Sequence, residues 1–462
     1  MKSLIALVLC LAVLSSARLN QYHHDLHIKT MERYFGVSQA SNGWLLFDQK
    51  VDHFDGTNTD TFKQRYCKFL SPSFSNGSPI FLYISGENRA RDNLCSTGYS
   101  LELAKMYKGA LFAVEHRFYG ESYPYQDLTL PSLSLLSSRQ ALYDLATFAF
   151  SLKKSYPDSP IVIIGGSYSG VLSAIARQMF PHLFIGAWSS SGPILAKEDF
   201  YEYDRQVRLS LNEKCAKQIQ IANAKLETLL ENPMSKRPIK KRFRCENVTD
   251  DVDFLYIITD AVAFGVQYNY INQLCARMES SDALEGLIDY STWLFDLLKT
   301  DPHEWSMTFH TSEEKEVQNG HRQWLYQSCR EFGYWQTYDK ENPLRSKRIN
   351  IDYHRNVCKV LYKRAFIPDT DDTNMAFGEY KFAGTNVAFS NGALDPWKNL
   401  GLVPSKLSKE QELRGCTSIE IPGAAHCEDL HTPSPQDSDH LVKARQFMTG
   451  EVNKWLNEYY SR

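Results

Sequence analysis

Three residues far apart in the chain have the types and settings needed to turn a hydroxyl into a nucleophile: Ser167, Asp395 and His426. Ser167 lies in Pro160-Ile-Val-Ile-Ile-Gly-Gly-Ser-Tyr-Ser-Gly170. The apolar β-branched run before the glycines predicts a short buried strand, and the stretch from Val171 to Met179 predicts a helix. A strand that turns at once into a helix around a serine needs neighbours without bulk, which Gly165 and Gly166 supply. The turn lifts the serine oxygen clear of the sheet edge and aims the following N–H groups at whatever the oxygen attacks. The usual pattern is G-x-S-x-G; here its last place is Ser169, still a small residue. A serine hydroxyl is a poor nucleophile until an imidazole takes its proton. A carboxylate then fixes the imidazole tautomer and stabilises the imidazolium. Thr385-Asn-Val-Ala-Phe-Ser390 reads as a strand leading into Asn391-Gly-Ala-Leu-Asp-Pro-Trp397, which carries Asp395. Thr417-Ser-Ile-Glu-Ile421 reads as another, leading into Pro422-Gly-Ala-Ala-His-Cys427, which carries His426. Alone, these are a Gly-Ser turn, an Asp-Pro turn and a loop histidine. Three in the order serine, acid, histidine, each just past a strand, predict a catalytic triad.

The elements that must position them alternate. Strands are expected at Thr61–Phe69, Pro79–Ile84, Gly109–Val114 and Gly186–Trp188, with a helix over Ser137–Lys153 and a closing helix over Asp439–Leu456. Alternation of this kind means a mostly parallel sheet that binds ligands beyond the carboxyl ends of its strands. From Ile194 to Asn350 helical periodicity dominates, as in Gln218–Leu230, Leu255–Met278 and Leu284–Leu298. The fold expected is therefore α/β, an α/β-hydrolase with a large, mostly helical insertion between nucleophile and acid, acting as a cap. The divisions are 1–17, 18–193 (first part of the core), 194–350 (cap) and 351–462 (second part of the core). Lys236-Arg-Pro-Ile-Lys-Lys-Arg-Phe-Arg244 reads as an exposed basic loop between helices.

Bulk properties bound the function. The chain has 462 residues and a formal net charge of −3, which gives no electrostatic case for nucleic acid. Met1-Lys2, the apolar run Leu4–Leu14 and the small residues Ser15-Ser-Ala17 read as a secretory signal peptide, with a mature start near Arg18. No second run is long enough to cross a bilayer, so no membrane partner is expected. The route suits a secreted or lysosomal protein. Of 10 cysteines, Cys10 leaves with the signal, and the odd remainder is expected mostly in disulfides, with at least one free or paired between chains. Cys416 and Cys427 flank the histidine loop, and a bridge from there would stiffen it. Asn76-Gly-Ser78 and Asn247-Val-Thr249 are glycosylation sequons at Asn76 and Asn247. No metal or organic cofactor is indicated, and a homodimer stays open.

These residues carry a family likeness. Gly165-Gly-Ser-Tyr168, Ser390-Asn-Gly-Ala-Leu-Asp-Pro-Trp397 and the histidine loop resemble the prolyl carboxypeptidase family, which also holds dipeptidyl peptidase II and thymus-specific serine protease. Val51-Asp-His-Phe54, Gln64-Arg-Tyr66, Glu115-His-Arg-Phe-Tyr-Gly120, Gln140-Ala-Leu-Tyr-Asp144 and Cys329-Arg-Glu-Phe-Gly-Tyr-Trp-Gln-Thr337 extend the likeness over nearly the whole mature chain. The resemblance implies a serine exopeptidase that favours cleavage of peptides after proline, with Ser167, Asp395 and His426 as its triad. Ser169, where prolyl carboxypeptidase and dipeptidyl peptidase II have glycine, and Cys427 after the histidine pull the chain toward the thymus-specific branch.

The chemistry expected is acyl transfer. Ser167 attacks, His426 takes its proton, and the oxyanion is held by the Tyr168 N–H and a second N–H at Gly86 or Glu87. Trp397 is a candidate wall for a proline-sized pocket, and Tyr334 and Trp335 are weaker ones, against the competing reading of core packing. Glu87, Glu115 and Asp144 could anchor a substrate terminus or pair internally with Arg65 or Arg117, and His116 reads as structural. Two other functions compete. A lipase or carboxylesterase would use the same trio, but Tyr83-Ile-Ser-Gly-Glu-Asn88 lacks the His-Gly-Gly-Gly loop of many such enzymes. A non-catalytic binding protein would not need the trio at all.

Overall fold

The computed structural model describes residues 43–462. The expected signal peptide and the mature start near Arg18 lie outside the described residues. Eight strands form one sheet: β1 (Leu45–Lys50), β2 (Thr61–Leu70), β3 (Ile80–Ile84), β4 (Ala110–Val114), β5 (Ile161–Gly166), β6 (Phe184–Ser190), and two later ones, Val387–Gly392 and Thr417–Ile421. Between β6 and those two lies a small parallel pair, β7 (Lys197–Asp199) with β8 (Gly333–Trp335), so the later strands are β9 and β10. The sheet order is β1-β2-β4-β3-β5-β6-β9-β10. Only the β1–β2 and β2–β4 pairings are antiparallel; from β4 onward every pairing is parallel. The central strands β3, β4 and β5 are buried nearly end to end, as their apolar runs require in a sheet covered on both faces. This is the α/β-hydrolase architecture.

Helices α1 (Tyr99–Met106), α2 (Ser138–Ser155) and α3 (Tyr168–Met179) connect the strands. α2 starts where expected, because the Ser137 hydroxyl accepts the Gln140 N–H. The helical cap follows β6 with α4 (Glu202–Ser210), α5 (Glu213–Glu231), α6 (Pro233–Arg242), α7 (Asp251–Gln267), α8 (Ile271–Arg277) and α9 (Ala283–Leu298). The closing helix α10 (Asp439–Tyr460) packs under β6, where a Cβ on Gly186 would come within 2.3 Å of the Trp455 ring. One apolar cluster runs without a break from sheet residues such as Ile163 and Phe389 into cap residues such as Ile257 and Leu287.

Three expectations need correction. Leu255–Met278 is not one helix: the chain breaks after Gln267, and Asn269 takes φ 61°. The basic run is not a loop. Lys236 to Arg242 lie in α6, where Lys240 is buried, donates to Val248 O (2.8 Å) and pairs with Asp251 (2.9 Å). Arg242 pairs with Glu285, and Arg244 with Asp296 at 2.6 Å. Acidic partners distant in sequence engage four of its six cations, which no local pattern announces. The histidine loop is not bridged. The disulfides are Cys67–Cys95, Cys215–Cys275 and Cys329–Cys358, while Cys245, Cys416 and Cys427 are free thiols. Asn76 and Asn247 are both exposed. Among the described residues no helix is long and apolar enough to cross a membrane.

Candidate active site

The three predicted residues meet at one edge because their strands are parallel and in register. Gly166, the last residue of β5, pairs with Ser190 of β6; Ser190 pairs with Ser390 of β9; Gly392, the end of β9, pairs with Ile421, the end of β10. Ser167 follows β5 directly, Asp395 lies three residues past β9, and His426 five past β10.

At Ser167 the backbone takes φ 57° and ψ −131°, a conformation rare for a residue with a Cβ. The glycines before it are required by contact. A Cβ on Gly165 would lie 2.0 Å from the carbonyl oxygen of Ser169, and one on Gly166 would lie 2.9 Å from both Cys427 Sγ and Leu430. Ser169, the departure from the usual pattern, closes the turn: its hydroxyl accepts the Gly166 N–H (3.0 Å) and donates to Gly166 O (2.8 Å). Tyr168 is the first residue of α3, so its N–H lies among the unpaired donors at a helix N-terminus. Its side chain is locked below. His116 Nδ1 donates to Arg117 O (2.7 Å), which leaves Nε2 to accept from the Tyr168 hydroxyl (3.1 Å), and Gln327 donates to the same oxygen (2.9 Å). Burial pushes the His116 pKa down to about 4, so it is a neutral structural acceptor.

His426 and Asp395 are both buried, and Nδ1 lies 2.8 Å from Asp395 Oδ2. The other carboxylate oxygen accepts the Trp397 N–H at 3.0 Å. Burial works against the imidazolium, but the Asp395 carboxylate, joined by the Cys427 sulfur, holds the imidazole pKa well above its ordinary value. The loop is fixed from three sides. His426 N–H donates to Gln267 O at the end of α7 (3.0 Å), Cys427 N–H to the Ser191 hydroxyl (3.0 Å), and Tyr268 stands edge-on to the imidazole at 6.2 Å. Asp429, also buried, accepts from Ser190 (2.6 Å) and Ser390 (2.5 Å) and so ties β6 and β9 to the same loop.

Gly86 and Glu87 follow β3 and approach the turn: a Cβ on Gly86 would make ordinary contact with Ser169 at 3.8 Å. The Glu87 carboxyl lies against the Ser167 hydroxyl and within the field of His426; burial raises its pKa. The other two candidate anchors are ion-paired internally, Glu115 with Arg65 (2.5 Å) and Asp144 with Arg117 (2.6 Å). Trp397 stands beside the site with Phe200, Tyr203 and Tyr334 at 5.4–5.5 Å between ring centres, and its Nε1 donates to Gln267 Oε1. Tyr334 is buried and donates to Pro193 O. Trp335 is in a different cluster, stacked on His354, and does not reach the site. Gln267, Tyr268 and Asp429 carry no local signal in the sequence: two end a cap helix and the third lies three residues past the histidine. Among the described residues no group of three or more His, Cys, Asp or Glu is placed to hold a metal ion.

Comparison with known proteins accords with this geometry. Residues 49–448 match the model of the family described as serine carboxypeptidase S28. A probable serine protease EDA2 of Arabidopsis thaliana is 30% identical, with 94% of this chain and 91% of that protein covered. The thymus-specific serine protease of Homo sapiens is 28% identical (90% and 86% covered), and the lysosomal Pro-X carboxypeptidase of Homo sapiens 25% (94% and 92%). The chain thus belongs to the serine carboxypeptidase S28 family, and it is a serine peptidase.

Proposed function

We propose that this peptidase is an exopeptidase with a preference for bonds after proline, working through a Ser167–His426–Asp395 triad and an acyl-enzyme. The observation that carries the reading is the buried 2.8 Å His426–Asp395 contact in a loop packed against the turn that holds Ser167. Asp395 leaves Nδ1 protonated, so Nε2 is the basic nitrogen. No bond from the Ser167 hydroxyl to the imidazole is closed among the described residues; such bonds commonly tighten only when substrate is seated. The hydroxyl then attacks the scissile carbonyl, its proton passes to Nε2, and the oxyanion forms against the Tyr168 N–H and an N–H at Gly86 or Glu87. His426 returns the proton to the leaving amine, and water resolves the ester. Trp397, partly exposed and backed by the buried rings of Tyr334, Phe200 and Tyr203, suits a flat, apolar pyrrolidine ring. The name of the Pro-X carboxypeptidase relative supports the proline preference, and the three disulfides support a secretory-pathway location.

The test has two parts. A fluorophosphonate should label wild-type protein on Ser167 and not Ser167→Ala. Mass spectrometry of products from a proline-containing peptide library should then give terminal fragments cut after proline. Absent labelling overturns the triad; cleavage with no proline bias overturns the specificity.

A further inference from the structure

Among the described residues most charged groups around the site are paired, and Asp260 is not. On α7 every residue from Asp253 to Ala263 is buried except Asp260, which is partly exposed; Phe264 and Gln267 are the next partly exposed positions. The spacing i, i+4, i+7 sets these three on one stripe of the helix. Its end is Gln267, whose carbonyl holds the His426 N–H and whose side chain joins Trp397 and Tyr203. The side chains whose charges act on Asp260 or feel it (Tyr203, Tyr256, Asp204 and Arg345) are themselves buried. Asp260 thus presents a partly open carboxylate on the same stripe that ends at the histidine loop.

Asp260 has neither a hydrogen bond nor an ion pair among the described residues. The one cation near it is already committed, since Arg345 grips Asp204 through two bonds of 2.8 and 3.0 Å. Two carboxylates thus share one guanidinium, which leaves one negative charge uncompensated inside the protein. Desolvation accordingly raises the Asp260 pKa to about 6. A charge in this position is costly unless a counter-charge arrives.

We propose that Asp260 forms a subsite for a cationic group of the substrate, an ammonium or guanidinium, reached along the α7 stripe from the catalytic centre. The proposal rests on the peptidase reading above and adds a second point of recognition to it. Seven residues of helix separate Asp260 from Gln267, about 10 Å at 1.5 Å per residue. An extended peptide covers that distance with about three residues. The cation is then either the free α-amine of a short amino-terminal fragment or a lysine or arginine side chain two or three places from the scissile bond.

Four matched peptides with one internal proline separate these sources. Their α-amine is free or acetylated, and the residue two places before the proline is lysine or norleucine. Wild-type protein should favour a cation-bearing version by ~10-fold in kcat/KM, the scale of one hydrogen bond to a charged group. Asp260→Asn should bring that ratio to near unity while the uncharged peptide keeps its rate, and Asp260→Glu should retain part of it. Loss of the free-amine preference identifies the chain terminus as the ligand; loss of the lysine preference identifies the side chain. Arg345 Nη1 is buried without a hydrogen-bond partner, so Asp260 could instead serve only to balance Arg345. That structural role predicts equal loss on all four peptides with a lower melting temperature, and this result, or a wild-type enzyme indifferent to charge, overturns the proposal. Failure of the peptidase reading is a different outcome: none of the four is cut and Ser167 is not labelled.

Discussion

Replacing Asp395 by asparagine tests the proton relay most directly. The substitution keeps shape and removes charge at a contact of 2.8 Å, between side chains that are 5% (His426) and 0% (Asp395) exposed, where water screens little. Two effects follow. The Asn amide can donate to Nδ1, which forces the imidazole proton onto Nε2, the nitrogen that must accept from Ser167. The imidazolium formed during attack also loses its counter-charge. In a serine protease of another fold the same exchange costs about 10⁴ in kcat, or about 5.4 kcal/mol of transition-state stabilisation. A loss of that order is expected here, measured as kcat/KM on a post-proline chromogenic peptide with fluorescence-monitored melting to confirm folding. The pH profile supplies the second readout. Asp395 holds the His426 pKa above its ordinary value, so the base form is present only above that raised pKa. The wild-type acid limb should rise through a midpoint above 6.5, and the residual activity of Asp395→Asn should rise at lower pH. A loss under tenfold, or an acid limb that does not move, refutes the relay as drawn.

Three further outcomes are expected. Gly165→Ala places a Cβ 2.0 Å from a backbone oxygen that cannot move without opening the turn, so the variant should lose activity and fluorophosphonate labelling together. Asp204→Ala removes both bonds to buried Arg345 and leaves it only the nearby Asp260 charge, so it should destabilise the fold by up to about 3 kcal/mol, read from chemical denaturation. Removing the Cys67–Cys95 bridge as a double Cys→Ala variant frees a 28-residue loop between β2 and the segment past β3. Loss of its constraint on the unfolded chain should cost about 3–4 kcal/mol, measured the same way.

Local chemistry in the sequence pointed to the candidate site, while the long-range contacts around it left no such trace. The glycines before Ser167 and the β-branched run before them announce a strand and a tight turn, because both are requirements of adjacent residues. The loops holding Asp395 and His426 were legible for the same reason. Ser169 looked like a mere tolerance of the pattern, whereas its hydroxyl clasps Gly166 from both sides. Nothing local marks Gln267, whose carbonyl seats the histidine from a cap helix 159 residues earlier in the chain. The pairing of Glu115 and Asp144 with Arg65 and Arg117 was legible as one of two readings, but not which carboxylate takes which cation, nor that Lys240 is buried on Asp251. Those assignments depend on which side chains the fold brings together.

The uninterrupted apolar cluster shared by sheet and cap bears on how the cap can move. A lid that swings aside must have a seam along which two cores part, and here there is none. Lifting the cap would mean breaking that shared core, so sheet and cap move as one body.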